Sequence, residues 1–447
     1  MELGRRAFLK SSAALAATGV AGAMSAEAAV VTDSAIAEQI ELAMGPLIHT
    51  APFLVNAAAT TMDIVFGVKA EALGFVEYGL KRDLSDAKRA YSGKFPVKGI
   101  DKDVLQVRLE NLQPATRYYY RIGAERIQYW HGYDMRNLGA VVEKKIYSFT
   151  TLGLGNRGAF AVINDTHERI APLEMCLAKL RELKPAVAVW NGDANNTSET
   201  IEDLKRVFLQ PHFRKAESEG FAAELPFLYV NGNHDFRGRA NLESERCLPK
   251  RSPLEREARF HQLGRNFAER LGEIALIGLD TGEDKLDTNP LFAGLFAMKP
   301  YREEQAKWLA AQFERPEIAA AKFKVVFCHI PLYSSNPHLN PGDLAPADVA
   351  PGFEPDFAGW QRTCATLWSP LFVKHGVQLV IAAHEHVFRY DEPTAERPWA
   401  QLVGGGPNLS KGPSFPTVIE GKEKDGKLHV KVFDVLNERI VLEKDFA

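Results

Sequence analysis

The sequence predicts a layered α/β (α+β) domain, with sheets flanked by helices, preceded by a small β-sandwich. Residues 47–152 form short β-branched or aromatic runs broken by Gly, Pro, Asp and Asn, with no helical period. In residues 153–447 the runs become continuously apolar, as in strands buried on both faces, and helical segments separate several of them. The 447 residues also exceed the roughly 250–300 at which a single core stops growing. At least two domains are therefore expected.

Composition is that of a soluble globular protein, with 46% hydrophobic residues, 25% charged residues and a formal net charge of −3. Because acidic and basic residues are interspersed, we expect no nucleic-acid-binding surface. Beyond the N-terminal segment, no window offers about 18 consecutive apolar residues, so we expect no stable membrane insertion. These features leave the oligomeric state open.

Residues 1–28 have the pattern of an export signal. Arg5 and Arg6 stand ahead of a weakly apolar, Ala/Gly-rich stretch that ends in an A-x-A-like site. The segment resembles a twin-arginine-type signal peptide. The alternative is a short amphipathic or membrane-anchoring segment, for which the apolar part is too short. We expect a linker over residues 29–46 and a periplasmic or extracellular mature protein.

The strand pattern of the N-terminal region includes "TMDIVFGV", "GFVEYGL", "VLQVRLENL" and "KIYSFTTLG". The stretch "LENLQPATRYYYRIG" followed by "YSFTT" resembles the fibronectin-type-III-like module that precedes the catalytic domain in purple acid phosphatases. Any other small β-sandwich would have a similar pattern. We therefore expect a fibronectin-type-III-like β-sandwich over residues 47–152, whose role the sequence does not define.

Helical stripes and loops separate the later apolar runs. One stripe has apolar side chains at i, i+3, i+4 and i+7, namely Leu173, Cys176, Leu177 and Leu180. The other cysteines, Cys247, Cys328 and Cys364, are sparsely spaced, which favours buried free thiols, although an even count permits two disulfides. Insertions rich in Pro, Gly, Asn and Asp, at about 281–300 and 334–357, are predicted to be surface loops.

Five of the apolar runs end in side chains that can bind metal ions. The residues after these runs are, in order, Asp165 with His167, Asp193, Asn233 with His234 and Asp235, His329, and His384 with His386. In open α/β sheets, ligands bind outside the carboxyl ends of the strands. We therefore expect these side chains to converge on one place.

Seven of these side chains, two Asp, one Asn and four His, form a donor set of hard oxygens and imidazole nitrogens without a thiolate. Such a set suits Zn²⁺, Fe, Mn²⁺ or Co better than an iron–sulfur centre or a calcium cage. Seven donors exceed what one ion requires when water and substrate must also bind. The sequence therefore predicts two metal ions that share one bridging carboxylate.

The series D-x-H, G-D, G-N-H-D, H and H-x-H, in this order, resembles the calcineurin-like metallophosphoesterase superfamily. The resemblance implies a catalytic domain over residues 153–447 and a ligand set for each ion. The first ion would be bound by Asp165, His167, Asp193 and His386, and the second by Asp193, Asn233, His329 and His384. Asp193 would be the bridge. Gly192 and Gly232 fit because the backbone must pass close to the ions in tight turns.

The chain departs from purple acid phosphatases at their Tyr ligand, which stands three residues beyond the bridging Asp, where this sequence has Asn196. Its first motif is D-x-H where theirs is D-x-G. We therefore expect a colourless centre, and the two ions, divalent or trivalent, remain open among Fe, Zn and Mn. Ala383 replaces the Gly that usually precedes the first His of the last motif and is expected to tighten that turn.

Two ions about 3.5–4 Å apart lower the pKa of bound water and clamp the oxygens of an in-line displacement. We expect a hydroxide bridging the ions to attack a small-molecule phosphate ester. In this scheme His234 stabilises the developing charge or protonates the leaving oxygen. Asp235 is expected to orient the His234 imidazole, with a helix or turn cap as the alternative role.

Together these features predict an exported, metal-dependent phosphoesterase. The sequence does not separate a monoesterase from a phosphodiesterase or nucleotide hydrolase, because the two inserted loops decide access to the site. A non-catalytic cell-wall-binding protein is a further alternative. The retention of all seven ligands and of His234 argues against it.

Overall fold

A computed structural model describes residues 45–94, 96–209, 220–251, 255–292, 294–333, 356–409 and 414–447, with only the backbone described at 255–258 and 356–358. The predicted signal peptide, the linker up to residue 44 and residues 334–355 of the second predicted insertion lie outside the described residues. Within them, the apolar runs predicted to be strands form strands.

The strands up to residue 150 are β1 (Phe53–Val55), β2 (Met62–Gly67), β3 (Ala72–Gly79), β4 (Lys88–Tyr91), β5 (Gly93–Lys94), β6 (Val97–Lys98), β7 (Ile100–Asp101), β8 (Val104–Leu109), β9 (Arg117–His131), β10 (Asp134–Val142) and β11 (Tyr147–Thr150). The later strands are β12 (Phe160–Ile163), β13 (Val187–Asn191), β14 (Phe227–Val230), β15 (Phe267–Leu271), β16 (Ile274–Leu279), β17 (Phe323–Cys328), β18 (Leu379–Ala382), β19 (Arg389–Asp391), β20 (Ala400–Val403), β21 (Thr417–Lys424), β22 (Lys427–Asp434) and β23 (Arg439–Phe446).

The α-helices of the described part are α1 (Ile170–Leu183), α2 (Ile201–Phe208), α3 (Met298–Phe313), α4 (Pro316–Ala319) and α5 (Asp356–His375). Short 3₁₀ helices lie at His234–Phe236, Asn241–Arg246, Glu255–Leu263 and Pro290–Phe292. None of these described helices combines the length and the apolar character that crossing a membrane requires.

Two sheets stack face to face in the later part of the chain. The larger runs β23-β22-β21-β12-β13-β14-β1-β2-β8, and the smaller runs β15-β16-β17-β18-β20-β19. Their inner faces share one core, in which the rings of Phe160 and Phe327 meet edge to face at 5.5 Å. Strands β12 to β14 are parallel, as are β16 to β18. The predicted layered α/β architecture is confirmed.

Helices cover the outer faces of both sheets. The predicted stripe of α1 is buried beside the larger sheet, where the thiol of Cys176 lies 3.9 Å from the carbonyl oxygen of Thr417. Helices α3 and α5 cover the smaller sheet with large side chains that include Trp308 and Trp368. All four cysteines are buried free thiols, which confirms that prediction.

The N-terminal strands are joined to the larger sheet. β1 pairs in parallel with β14 through Val55 and Phe227, and β2 and β8 extend the sheet from there. A further sheet, in the order β10-β9-β3-β4, packs on these strands through a core that includes Tyr120. The hydroxyl of Tyr120 donates to the carbonyl oxygen of Ala223 at 2.6 Å. Backbone pairing thus continues across the predicted boundary at residue 152, and the division into domains stays a prediction.

The prediction that residues 281–300 form a surface loop is wrong at both ends. Residues 281–284 are buried, and α3 already begins at Met298. The carbonyl oxygen of Thr281 accepts hydrogen bonds from Arg302 at 3.1 Å and from the indole of Trp360 at 3.0 Å. Polar residues can be buried here because the fold supplies them with partners, which composition does not reveal.

Candidate metal centre

The carboxyl ends of strands from two different sheets meet at one edge of the molecule. β12, β13 and β14 lie side by side in the larger sheet, and the turns after them carry the first three motifs. β17 and β18 are neighbours in the facing sheet and precede the last two motifs. The structure brings together all seven side chains predicted to bind metal ions.

The first group of donors is Asp165, His167, Asp193 and His386, whose ligand atoms all lie within 4.8 Å of one another. Nε2 of His167 lies 2.9 Å from Nε2 of His386 and 3.5 Å from Oδ2 of Asp193. Oδ1 of Asp165 lies 3.2 Å from Nε2 of His386. These four residues are the set that the resemblance assigns to the first ion.

The second group contains Asp193, His329 and His384, within the same limit of 4.8 Å. Oδ2 of Asp193 lies 3.2 Å from Nε2 of His329, and Oδ1 of Asn233 lies 3.0 Å from Nδ1 of His384. Nδ1 of His329 donates to the carbonyl oxygen of Asn191 at 2.9 Å, which leaves Nε2 directed at Asp193. Asp193 belongs to both groups, which is the position predicted for a bridging carboxylate.

Several polar atoms of the cluster have no hydrogen-bond partner within the described part of the chain. Oδ1 of Asp165 and Nε2 of His329 are two such atoms, and both side chains are fully buried. Buried polar groups without partners are costly, and a bound cation would satisfy them. The facing Nε2 atoms of His167 and His386 would likewise direct two lone pairs at one point. The donor set therefore fits metal ions.

Five of the seven donors stand on left-handed backbone. They have φ between +46° and +65° and are Asp165, His167, Asp193, His384 and His386. For a residue with a Cβ this conformation costs roughly 1–2 kcal/mol. Residues held in such conformations cluster at functional sites. The turns after the strands thus place the donors at a cost in stability.

The sequence profile of the calcineurin-like phosphoesterase family matches residues 158–388, a range that contains every predicted ligand. The chain belongs to the calcineurin-like phosphoesterase family. It is a metal-dependent phosphoric ester hydrolase, as the sequence predicts. A comparison with curated proteins gives no match.

Two solved structures share the fold of this phosphoesterase over most of its length. The purple acid phosphatase PPD1 from yellow lupin (Lupinus luteus) seeds is 14% identical, with a TM-score of 0.58, and the alignment covers 89% of this chain and 74% of that one. A structure of PhoD is 10% identical, with a TM-score of 0.54, and the alignment covers 89% of this chain and 92% of that one. At these identities the likeness shows the fold alone.

Two glycines of the phosphoesterase allow the backbone to pass against the donors. Gly192 has a φ of +84°, and a Cβ on it would collide with the ring of His329. A Cβ on Gly232 would collide with the carboxylate of Asp193. Glycine is expected at both positions because the backbone passes too close to a donor side chain to leave room for a Cβ.

The prediction that Asp235 orients the His234 imidazole is wrong. Oδ2 of Asp235 accepts hydrogen bonds from the Tyr229 hydroxyl at 2.8 Å, from N–H of Gly232 at 2.8 Å and from N–H of Asp193 at 3.1 Å. The alternative role, a turn cap, is the one that the structure shows, because Asp235 accepts from backbone N–H groups while the His234 ring contacts Asn196 and Arg237. Burial and the nearby Asp193 carboxylate raise the pKa of Asp235 to about 7.

His234 lies at the rim of the cluster, with its ring edge to face against that of His167 at a centroid distance of 4.9 Å. Nδ1 lies 2.9 Å from the carbonyl oxygen of Asn196 and Nε2 lies 3.1 Å from Nη1 of Arg237. A carbonyl can only accept and a guanidinium can only donate, so the proton is on Nδ1 and Nε2 accepts. His234 is predicted either to stabilise the developing charge or to protonate the leaving oxygen. The second role would require a proton on Nε2, which accepts a hydrogen bond in this structure.

Asn196, which stands where purple acid phosphatases have their Tyr ligand, contacts a predicted ligand of the first ion. Its Oδ1 lies 2.9 Å from Nδ1 of His167, and its Nδ2 donates to the carbonyl oxygen of His167 at 3.0 Å. The side chain thus fixes the ring that the resemblance assigns to the first ion. An outer partner of this kind sets the tautomer and orientation of a ligating histidine.

Charges within the cluster shift its pKa values in opposite directions. Burial opposes ionisation of Asp165, but His329 and two further imidazoles hold its pKa well below its usual range. Burial would lower the pKa of His329, but the carboxylates of Asp193 and Asp165 raise it to about 10. Burial and the neighbouring His329 lower the pKa of His384 to about 4. The cluster therefore favours ionised carboxylates that attract a cation.

A sixth strand end also reaches the centre. The turn after β16 carries Glu283 and Asp284, and Oδ2 of Asp284 lies 3.8 Å from Nε2 of His384. Glu283 pairs with Arg237, whose Nη2 lies 2.9 Å from its Oε1. The signal for these residues is the polar "DTGED" directly after a buried apolar run. The same signal, polar residues directly after an apolar run, predicts the donors at the other five strand ends. Here the sequence instead predicts a surface loop, because residues 285–297 have a loop-like composition.

Gly232→Ala should weaken metal binding, because the added Cβ would displace the Asp193 carboxylate. We expect a loss of about 10–100-fold in affinity, as for other changes that misorient a ligand, measured by competition with a chelator. Gly132→Ala is the matched control, because a Cβ there meets no atom within 4 Å. Unchanged affinity in Gly232→Ala would mean that the turn can shift without moving the carboxylate.

Asn196→Ala should lower metal affinity about 10-fold, because the His167 ring loses the partner of its Nδ1. The same competition titration measures the effect. Asn196→Asp keeps an acceptor at this position and should retain most of the affinity. If the alanine variant binds metal like the wild type, Asn196 does not orient this ligand.

Proposed function

We propose that this phosphoesterase hydrolyses small-molecule phosphate esters with two metal ions at the described cluster, and that it acts outside the cytoplasm. The position of Asp193 carries the proposal for the site, because its carboxylate belongs to both donor groups. A carboxylate shared between two donor groups is what a dinuclear centre needs. Convergence of the whole predicted donor set argues against the alternative of a non-catalytic cell-wall-binding protein.

Two bound metal ions would neutralise the charge of a phosphate ester and lower the pKa of a coordinated water. The carboxylate, amide and imidazole donors support Fe, Zn or Mn, as divalent or trivalent ions. Each cysteine of the chain is buried as a free thiol, and neither donor group includes one. Thiolate ligation is therefore not part of the proposal.

The chain's own residues fix the bridging carboxylate before substrate binds. Oδ1 of Asp193 accepts a hydrogen bond from the backbone N–H of His234 at 2.9 Å, and its Oδ2 faces Nε2 of His329 at 3.2 Å. The backbone N–H of Asp193 is held in turn by the Asp235 carboxylate. Both oxygens and the backbone of Asp193 thus have set directions, so little rearrangement accompanies substrate binding.

We propose a phosphomonoester as the preferred substrate, with a phosphodiester or nucleotide as the alternative. A terminal phosphate carries a charge of about −1.5 to −2 near pH 7, and Arg237 adds a permanent cation at the rim of the cluster beside His234. This extra cation favours binding of a phosphomonoester, which carries more negative charge than a phosphodiester. Relative rates with a monoester and a diester chromogen decide between the two classes.

The proposed location rests on the paired Arg5 and Arg6 and the apolar stretch behind them. Replacing both arginines by lysine should hold the precursor in the cytoplasmic fraction, because twin-arginine signals depend on that pair. Cell fractionation measures the distribution. Lys10→Gln alters a nearby charge but leaves the pair intact and should not change export. Normal export of the double lysine variant would contradict this route.

Asp193→Asn should reduce hydrolysis of a phosphomonoester by on the order of 10³-fold, the equivalent of about 4 kcal/mol of transition-state stabilisation. The physical reason is the loss of the one negative charge common to both donor groups, so the metal content should fall as well. Activity assays and elemental analysis measure the two effects.

Asp425→Asn is the matched control for Asp193→Asn. Asp425 is exposed and also has left-handed backbone, with a φ of +52°. The Asp425→Asn substitution removes one carboxylate that lies outside the cluster, so activity and metal content should stay unchanged. Full activity in Asp193→Asn, or in a metal-stripped sample of the wild type, would remove the proposed mechanism.

A further inference from the structure

We propose that Arg237 binds a phosphoryl oxygen of the substrate, and that buried Glu283 is the positioning residue that aims its guanidinium at the metal centre. This inference rests on the proposed function, because it names a binding group for the phosphate ester that the centre would hydrolyse. Neither residue belongs to the donor set predicted from the sequence.

The guanidinium of Arg237 is fixed along one edge. Its Nε lies 3.0 Å from Oε2 of Glu283 and its Nη2 lies 2.9 Å from Oε1, a two-point contact that sets the plane of the group. Nη2 also lies 3.3 Å from Oδ1 of Asp284. The Glu283 side chain is 1% exposed and that of Arg237 is 23% exposed. The anchor is therefore buried, and the cation reaches the surface of the site.

The remaining edge of the guanidinium contacts His234 at the rim of the centre. Nη1 lies 3.1 Å from Nε2 of His234, whose ring packs against that of His167 in the first donor group. Nη1 carries two N–H groups, and His234 is its one hydrogen-bond partner within the described residues. One N–H group is thus left to donate to a ligand at the rim of the cluster.

The anchor is held independently of Arg237. Arg302 is buried and donates from Nη2 to the carbonyl oxygen of Glu283 at 2.6 Å and to that of Thr281 at 3.1 Å. The turn that carries Glu283 is therefore fixed from its other side. A binding group that is held in place before the substrate arrives loses little entropy on binding.

The chemistry of Arg237 and Glu283 suits phosphate binding better than it suits a role in stabilising the fold. A guanidinium is charged at all relevant pH values and its planar N–H groups match the oxygens of a phosphate. A buried ion pair, in contrast, adds little net stability, because desolvation offsets its Coulomb attraction. Arg237 therefore supplies a permanent positive charge at this rim, beside His234.

Arg237→Gln tests the proposed contact, and Arg239→Gln is the matched control. Arg239 is two residues away, 92% exposed, and pairs at 3.5 Å with Glu199 on the surface. In Arg237→Gln we expect kcat/KM for a phosphomonoester to fall about 10²-fold, the usual effect of removing one charge-stabilising donor. Inorganic phosphate should bind the metal-loaded protein about 10-fold more weakly by calorimetry, with unchanged metal content. The control should match the wild type in all three measurements.

A second variant covers the folding risk, because Arg237→Gln leaves the Glu283 carboxylate buried without its cation. The double variant Arg237→Gln with Glu283→Gln removes both charges together and should show the same loss of phosphate affinity as the single Arg237→Gln. Glu283→Gln alone should also weaken phosphate binding, and the two effects should not add, because Glu283 acts through Arg237. Additive losses would overturn the positioning role.

The outcomes separate this inference from the proposed function. If the metal-loaded wild type hydrolyses neither a monoester nor a diester, the proposed function fails, while phosphate calorimetry still tests Arg237. If the wild type is active but the Arg237 variants keep kcat/KM and phosphate affinity within about twofold at normal metal content, the inference is overturned. It is also overturned if these variants lose metal, since Arg237 then supports the centre and does not bind phosphate.

Discussion

Two buried carboxylates held close together, Asp165 and Asp193, are the constraint on which the rest of this phosphoesterase depends. Each carboxylate lies close to histidine side chains. Oδ1 of Asp165 and Nε2 of His329 have no hydrogen-bond partner in the described structure. Like charges in a low-dielectric interior repel strongly, so such an arrangement is stable only with cations or protons between them. The same carboxylates raise the pKa of the buried His329, as expected of a site that favours positive charge.

The fold keeps this arrangement in place with two stacked sheets. Strands from both sheets end at the same edge, and the core between them, including Phe160 and Phe327, fixes their relative position. The donors themselves stand on left-handed turns, which a less rigid framework would relax. Packing energy from the core thus offsets strain at the site. The same sheet continues into β1, β2 and β8, so the N-terminal strands extend the framework that supports the centre.

The donors are surrounded by side chains that are not metal ligands themselves but orient the ligands or their neighbours. Asn196 fixes the ring of His167, and Asp235 fixes the backbone of Asp193. Glu283 fixes Arg237, whose free edge lies beside His234. Because each contact is directional, the centre is organised before substrate binds, which is where most of the catalytic advantage of such sites arises.

The sequence by itself determined the layered fold and the convergence of the seven donors, because strand periodicity and the residues at strand ends are local properties of the chain. Only the tertiary structure decided that the donors come from two facing sheets, that Asp235 accepts from the backbone N–H groups of Gly232 and Asp193, and that residues 281–284 are buried. Those features depend on hydrogen bonds between residues distant in sequence, such as Arg302 to Thr281. Composition cannot reveal such partners, since a polar residue is expected to be exposed unless the fold supplies its partner.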